Sequence, residues 1–581
     1  MIRSLALALA LTPALAALAG CSRDQDAPPD VPDDTDADVE VCETDLTWAS
    51  FAKPLFDTWC NACHGSGVPF ERRGGAPEGV FLDSYAIAVE WGDRVAERTY
   101  GTLGGMPPSG PMPAADLALL EEWITCGMPG EEAPIQASCG TASPSPGPVA
   151  VGEGDTPCAE GWNAVSGDLV VTGDVDLSCV CSVSGDLEIS GSTTVFDAPV
   201  LDAVGGSLVA SAAGLVTLSV PALTTVTNSA RIEHLPVLTT LGIDHLQATG
   251  ADFVVLDTPS LVRFDLARLE TVGGDLRIES APALAEIANF IGVTAVGDDL
   301  VLADLPLLVG DLYAGFDSLL RVATVGGDVT VTGTGIRELW AFQELGAVPG
   351  SILISDNPAL TLISGFHELR SVGGRIEIAD NGNLVSFDQM PLVTSIGTAA
   401  AYPAGGLLLR RNPALTLVQP FPSVVVLEAF ELTDCDSLVL LEGFDHETLQ
   451  SLPGGLYLAG NASLQASAAF RSVIDSGDVI VDDNPALLDI ALPALLRTAD
   501  VHLARSGFVD LDGFSGLTEL DGDLTVEANP VLTTIAALAT IQSVAGDVVV
   551  RDNPALPQAE AEAIVDAIPV VTGTTSVTGN Q

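Results

Sequence analysis

Basic residues are scarce in this 581-residue chain, where 21 Lys and Arg stand against 78 Asp and Glu for a formal net charge of -57. Such a surface repels phosphate backbones, which excludes nucleic acid as a partner. Aromatic residues are also few, 5% of the chain against 47% hydrophobic residues, while glycines number 58. A core of Leu, Val, Ile and Ala broken by frequent turns is the balance of a solenoid more than of a globule. The chain is too long for one ordinary compact domain, which points to several domains or a repeat array. Beyond the N-terminus no segment is long and apolar enough for a transmembrane helix. The Ca²⁺-binding nonapeptide repeat is absent, so the recurring Asp and Glu read as groups that keep the array soluble. Histidine is missing from the first 130 residues apart from His64, which excludes bis-histidine ligation of a metal there.

Arg3 and the apolar run from Leu5 to Leu18 form a secretion signal, since the run is too short to span a bilayer as a stable helix. The residues Leu18-Ala19-Gly20-Cys21 resemble the bacterial lipobox. That resemblance implies removal of residues 1–20, lipidation of Cys21 and a membrane anchor made by lipid alone, with Ser22 favouring the outer membrane over the inner. Residues 21–45 are acidic and proline-bearing, the composition of a disordered tether. Residues 131–157 are rich in Pro, Ser and Gly without periodicity and mark a linker.

Between tether and linker, residues 46–130 read as a small all-α domain. Trp48, Phe51, Leu55 and Trp59 recur at spacings of three and four, the stripe that an amphipathic helix buries. A second helix is expected over residues 116–125, with Leu117, Leu120 and Ile124 on one face and Trp123 beside them. A loop rich in Gly and Pro joins the two. At the end of the first helix stands Cys60-Asn61-Ala62-Cys63-His64, the attachment motif of haem c. Two intervening residues let one helical turn offer both thiols to the porphyrin vinyl groups, while the adjacent imidazole reaches iron from the same side. One covalent haem is therefore expected on Cys60 and Cys63, with His64 as an axial ligand. For the other axial position the segment offers three sulfur donors, Met106, Met112 and Met128. Of the remaining cysteines, Cys42 is expected to pair with Cys126 across the ends of this domain. Cys139, Cys158, Cys179 and Cys181 allow three connectivities, and Cys435 is left as a buried small hydrophobe.

From residue 158 to 581 the chain repeats itself at intervals of about 23 or 24 residues, as in GSILISDNPAL from Gly350, GDVIVDDNPAL from Gly477 and GDVVVRDNPAL from Gly546. Each unit reads as a glycine turn, a short strand, an Asn-Pro turn and a Leu-rich return. Glycine is expected to supply a positive-φ turn, and Asn357, Asn412, Asn484, Asn529 and Asn553 to stack as a ladder bonded to backbone groups. No unit can bury its apolar face alone, so roughly 17 of them must stack in parallel into a rod on the order of 80 Å long. The residues 558–568 (QAEAEAIVDAI) look helical and are expected to cap the open strand edge.

These repeats resemble bacterial leucine-rich-repeat proteins and the L domains of insulin-type and growth-factor receptors. That implies a long right-handed parallel β-solenoid. The segment from Leu55 through CNACHG, GVFLDSY, GGMPP and LLEEWITCGMP resembles the small cytochrome c domains of planctomycete and myxobacterial surface proteins. In that family the methionine of an M-P-P motif is the distal iron ligand. The resemblance thus assigns Met106, with Met112 as the alternative. The fold class expected is multidomain, an all-α cytochrome c domain followed by the solenoid. The function expected is an exported, lipid-anchored electron-transfer cytochrome whose repeat domain binds a protein or a surface. A redox partner protein and a protein or glycan ligand on the solenoid are the implied partners. The rival expectation is an adhesion or recognition protein with the haem domain as an accessory redox or sensing module. Enzymatic activity of a peroxidase type would require an open sixth iron position.

Overall fold

A computed structural model describes residues 46–65, 84–99 and 114–128 of the N-terminal part, together with Val68, Leu82, Met112 and Gly130. It also describes residues 142–581 apart from 267, 289, 291, 310–318, 388–389, 399–401, 419–420 and 445–447. The chain divides into two compact units, Met1–Pro134 and Ile135–Gln581. The signal, Cys21 and the tether lie outside the described residues.

The described part of the first unit is helical. A wide helical turn, Trp48–Ala52, runs into α1 (Lys53–Trp59), which is followed by α2 (Asn61–His64), α3 (Tyr85–Glu90), α4 (Gly92–Thr99) and α5 (Ala114–Thr125). Of the stripe that the spacing predicts, Trp48 and Leu55 are buried while Phe51 and Trp59 pack at the margin, and Phe56, outside that stripe, is fully buried. On α5 the deepest residues are Leu120 and Trp123, both with no exposed surface. Trp48, Phe56 and Trp123 form a three-ring cluster with centroids 5.8–6.1 Å apart, and Tyr85 adds a fourth ring 5.7 Å from Trp48. Each such pair contributes about 0.5–1.5 kcal/mol beyond the area it buries. Helices α3 and α4 lie in what the sequence reads as loop. They are six and eight residues long and part at Trp91, whose φ of -99° and ψ of 7° leave the helical region, so neither is long enough to show a period.

The second unit is a long parallel β-solenoid of the right-handed type. One sheet holds 19 strands, every described pairing in it is parallel, and further ribbons of two- and three-residue strands make the other faces. Nineteen strands give about 18 spacings of about 4.8 Å, hence a length of about 85 Å. This is two strands more than the repeat count expects, because the first coils are shorter and lack Asn-Pro. The ladder interval is 18 residues from Asp168 to Asp186 but 24 from Asp275 to Asp299. The first strand, Val149–Val151, lies inside the segment expected as linker and pairs with Leu169–Val171. Three residues among Pro and Gly are too few to show alternation.

In the main sheet, side chains alternate between core and solvent, so Ile352 and Ile354 are buried while Leu353 and Ser355 are partly exposed. Identical register positions stack one kind of residue along the axis. Phe421, Phe444 and Phe470 sit in successive coils, their ring centroids 5.2 Å apart and their planes nearly parallel. No coil can bury this row alone.

Gly167, Gly406 and Gly455 take the expected positive φ at the start of long strands, but other glycines there have a different role. Gly273, Gly297 and Gly326 do not take positive φ; instead a Cβ there would stand 2.2, 2.0 and 1.9 Å from the carbonyl oxygens of Gly250, Gly273 and Gly297 in the preceding coil. Close stacking of backbones is what demands glycine. The positive-φ corner lies after the strand and is filled more often by aspartate than by any other residue, at Asp257, Asp304, Asp356, Asp380, Asp434, Asp483 and Asp552, with φ of 52–58°. Aspartate tolerates this region better than most residues.

The next residue forms the expected ladder, which is longer than the Asn-Pro motif indicates. Asn357, Asn381, Asn412, Asn461, Asn484, Asn529 and Asn553 are fully buried. The N–H of Asn357 donates to Asn381 Oδ1 (3.0 Å), that of Asn381 to Asn412 Oδ1 (3.1 Å) and that of Asn461 to Asn484 Oδ1 (3.1 Å). Each Nδ2 donates to a strand carbonyl of the preceding coil, as Asn484 does to Leu458 O at 2.9 Å. Ser506 substitutes for one rung and Cys435 for another. The Cys435 thiol is fully buried, as expected, and burial pushes its pKa up to about 12. Its sulfur lies 3.9 Å from Leu409 O, where neighbouring rungs place an amide. Cys435→Asn is therefore expected to complete the ladder and stabilise this coil by about 1 kcal/mol. Native-state hydrogen exchange at the Asn412 amide should slow about fivefold, and unchanged exchange would refute the rung assignment.

The helix expected as a cap is α6 (Gln558–Asp566), which buries Ala561 and Val565. It lies within the last coil rather than beyond it. The final strand, Thr575–Thr578, follows it and pairs with Val548–Arg551. Polar Thr-Ser-Val-Thr residues blunt that edge.

Candidate functional site

The haem-motif residues sit on one nearly continuous helix. Helix α1 contains Pro54 in its first turn, where the missing N–H costs nothing, and ends at Trp59. Backbone bonds then carry the helical pattern through Cys60 into α2: Cys60 N–H to Phe56 O at 2.8 Å, His64 N–H to Cys60 O at 2.9 Å and Gly65 N–H to Asn61 O at 3.0 Å. Cys60 and His64 are thus one turn apart on the same helical face, and both are half-buried. Cys63 lies on α2 between them, its side chain outside the described set. The Leu82 N–H donates to His64 O at 2.9 Å and ties the end of α2 to the chain beyond the motif.

The surroundings fit a porphyrin. Leu55, Phe56, Leu82, Met112, Leu120 and Trp123 belong to one buried cluster, against which Cys60, Trp59 and Trp91 pack. A thiol and an imidazole one helical turn apart, with apolar rings packed beside the thiol, are donor types and surroundings compatible with haem c. Met112 is 4% exposed within that cluster. Met106 lies outside the described residues. Met128, by contrast, has a structural position: its φ is 56°, its carbonyl accepts from Tyr85 Oη at 3.0 Å, and its thioether lies against the Cα of Gly92.

Cys126 is disulfide-bonded, while Cys42, its expected partner, lies outside the described residues. In the second unit Cys158 pairs with Cys179, with Cα atoms 5.5 Å apart. Cys181 is also disulfide-bonded, and Cys139 lies outside the described residues.

Two features of the solenoid escape sequence reading. The first is an aspartate ladder at the start of the long strands. The N–H of Asp275 donates to Asp252 Oδ1, that of Asp299 to Asp275 Oδ1 and that of Asp328 to Asp299 Oδ1, at 2.8–3.2 Å. A second run links Asp478, Asp500, Asp523 and Asp547. At its end the Thr574 N–H and hydroxyl hold Asp547 below the usual carboxylate range. These carboxylates satisfy backbone donors of the next coil, a role in addition to solubility. Among the described residues no group of three or more His, Cys, Asp or Glu is arranged to hold a metal ion.

The second feature is a polar network on the outer face of the main sheet. Arg410 donates to Glu377 at 3.0 Å and through Nε to Glu431 at 2.6 Å, and Arg375 donates to Glu377 at 2.6 Å. Tyr402 Oη donates to Glu431 at 3.0 Å, and its ring stacks on Tyr457 with centroids 4.4 Å apart. The hydrogen bond to Glu431 holds the Arg410 pKa above its ordinary value, and burial raises that of Tyr457. Every charged group here already has a partner, so the network fixes the inserted segment around Tyr402 onto the sheet. No known family model matches the chain, and no curated protein matches it at a significant level.

Proposed function

We propose that the chain is an exported, lipid-anchored c-type cytochrome that carries one covalent haem for single-electron transfer, with the solenoid serving to bind a partner protein. The observation that carries this reading is the position of Cys60 and His64 one helical turn apart against a tryptophan-rich core. In it, Cys60 and Cys63 would hold the porphyrin by thioether bonds, and His64 together with Met106, or with Met112 as the alternative, would ligate the iron. Haem bound in this way supplies reversible one-electron exchange at iron. The apolar residues of α1 and α5 would give a porphyrin bound at Cys60 a water-poor neighbourhood. The lipid on Cys21 holds the protein at a membrane, and the acidic segment of residues 21–45 spaces the folded part from it.

Haem retention tests the reading. Coexpression of the exported chain with a cytochrome c maturation system is expected to give a red protein whose colour survives acid-acetone extraction, because thioether bonds do not release porphyrin. The Cys60→Ala, Cys63→Ala double variant should be colourless. A colourless wild type, or haem lost on extraction, overturns the reading.

A further inference from the structure

Six exposed apolar side chains stand within six successive coils, along two consecutive ribbons of short strands and the coil that follows them. Val385, Leu417, Val439, Leu440, Leu488 and Val509 are each between 41% and 53% exposed. They occupy two neighbouring outward rows. Val385, Val439, Leu488 and Val509 each stand two residues before a buried core position, at Phe387, Leu441, Ile490 and Leu511; Leu417 and Leu440 stand one residue before Val418 and Leu441. Backbone bonds join the first row from Val385 to Thr416 and from Val439 through Gln465 to Leu488. In the second row Ser386 is in register with Leu417, and Leu440 with Ala466 and then Asp489. The strip runs along the axis over six coils, about 24 Å. Thr416 and Gln465 in the first row and Ser386 and Ala466 in the second interrupt the strip, which still concentrates on one face the exposed apolar surface that marks an interaction site.

Charge selects the occupant. Asp489 lies in the second row, and burial together with Asp510 and Asp512 raises its pKa, with Arg471 opposing them. Carboxylates crowded beside an apolar strip gain from a cation and lose from further negative charge. A second copy of the chain would bring the same carboxylates against these, and an anionic lipid surface would be repelled by a protein of net charge -57.

We propose that this strip docks an amphipathic helix of a partner protein, its apolar stripe on the six side chains and its basic flank on Asp489 and Asp510. About 24 Å accommodates a helix of about 16 residues. The inference deepens the partner-binding half of the proposed function and does not depend on haem, so its failure and that of the haem reading are distinguishable.

The probe is a labelled 16-residue helical peptide with Leu at positions i, i+3, i+4 and i+7 and Lys along one flank, titrated by fluorescence anisotropy against the full chain. Binding is expected to weaken at least tenfold in the Leu417→Gln, Leu440→Gln variant, and equally in Val439→Gln, Leu488→Gln should the first pair fold poorly. Asp489→Asn with Asp510→Asn should weaken it about fivefold and flatten its salt dependence. Val262→Gln, an exposed position away from the strip, should leave it unchanged. Equal binding by a scrambled peptide, or by both Gln pairs, overturns the proposal. So does a wild-type dimer in sedimentation that the Gln pairs convert to monomer, since the strip would then belong to a second copy. Strip-dependent binding to phosphatidylglycerol vesicles would overturn it in favour of a membrane.

Discussion

Asn484→Ala is expected to destabilise the solenoid by about 2–6 kcal/mol. The substitution removes the acceptor of the buried Asn461 N–H and the donor to Leu458 O, leaving at least two backbone groups unsatisfied in the interior. Each orphaned group costs about 1–3 kcal/mol. Because a repeat array transmits stability mainly between neighbours, the loss should be local. Native-state hydrogen exchange should accelerate across residues 456–506 while the coils near Asn357 stay protected. An even loss along the array, or none, would show that the ladder does not hold these corners. Asn484→Asp is the informative companion, since it keeps an acceptor but buries a carboxylate without the amide donor, and it should be at least as harmful.

Met106→Ala should remove the weak sulfur-to-iron charge-transfer band in the far red from the oxidised, low-spin protein, while Met112→Ala leaves that band in place. The two variants should separate in stability as well. Met112 is 4% exposed among Phe56, Leu120 and Trp123, so its truncation is expected to cost about 2–5 kcal/mol whatever the ligand. Loss of the band in Met112→Ala alone would move the ligand to Met112. A high-spin wild type that binds cyanide at once would instead indicate an open iron position, favouring peroxidase or sensing chemistry over electron transfer.

The repeat was legible because each coil must meet the same demands. Backbone stacking demands Gly, the buried corner demands Asn, and the core demands alternating Val, Ile and Leu, so the period appears directly in the residues. What escaped notice was whatever needs the neighbouring coil to be understood. The Gly-Asp pair looks like a turn within one unit, yet Gly273 is set by the carbonyl of Gly250, and Asp252 acts on the N–H of Asp275. Ladder rungs without proline, such as Asn381 and Asn461, are visible only once the register is known. In the first unit the long stripe ending at Trp59 was readable, whereas α3 and α4 were too short. The CxxCH spacing was legible and falls on one helical stretch, but spacing alone does not choose among the sulfurs of Met106, Met112 and Met128 as a ligand.

Coil length and strand register are independent in this array. The step from Asn381 to Asn412 takes 31 residues where its neighbour takes 24, yet the rungs on either side bond at the same distances. The surplus falls between Ile396 and Leu407, both fully buried, and Tyr402 within it stacks on Tyr457 at the sheet surface. Segments can therefore be gained or lost between coils with no frame shift in the stack, which lets the surface of the rod diversify while the spacing between its coils stays fixed. Two such rods with little sequence in common would still present their corners at the same repeat distance.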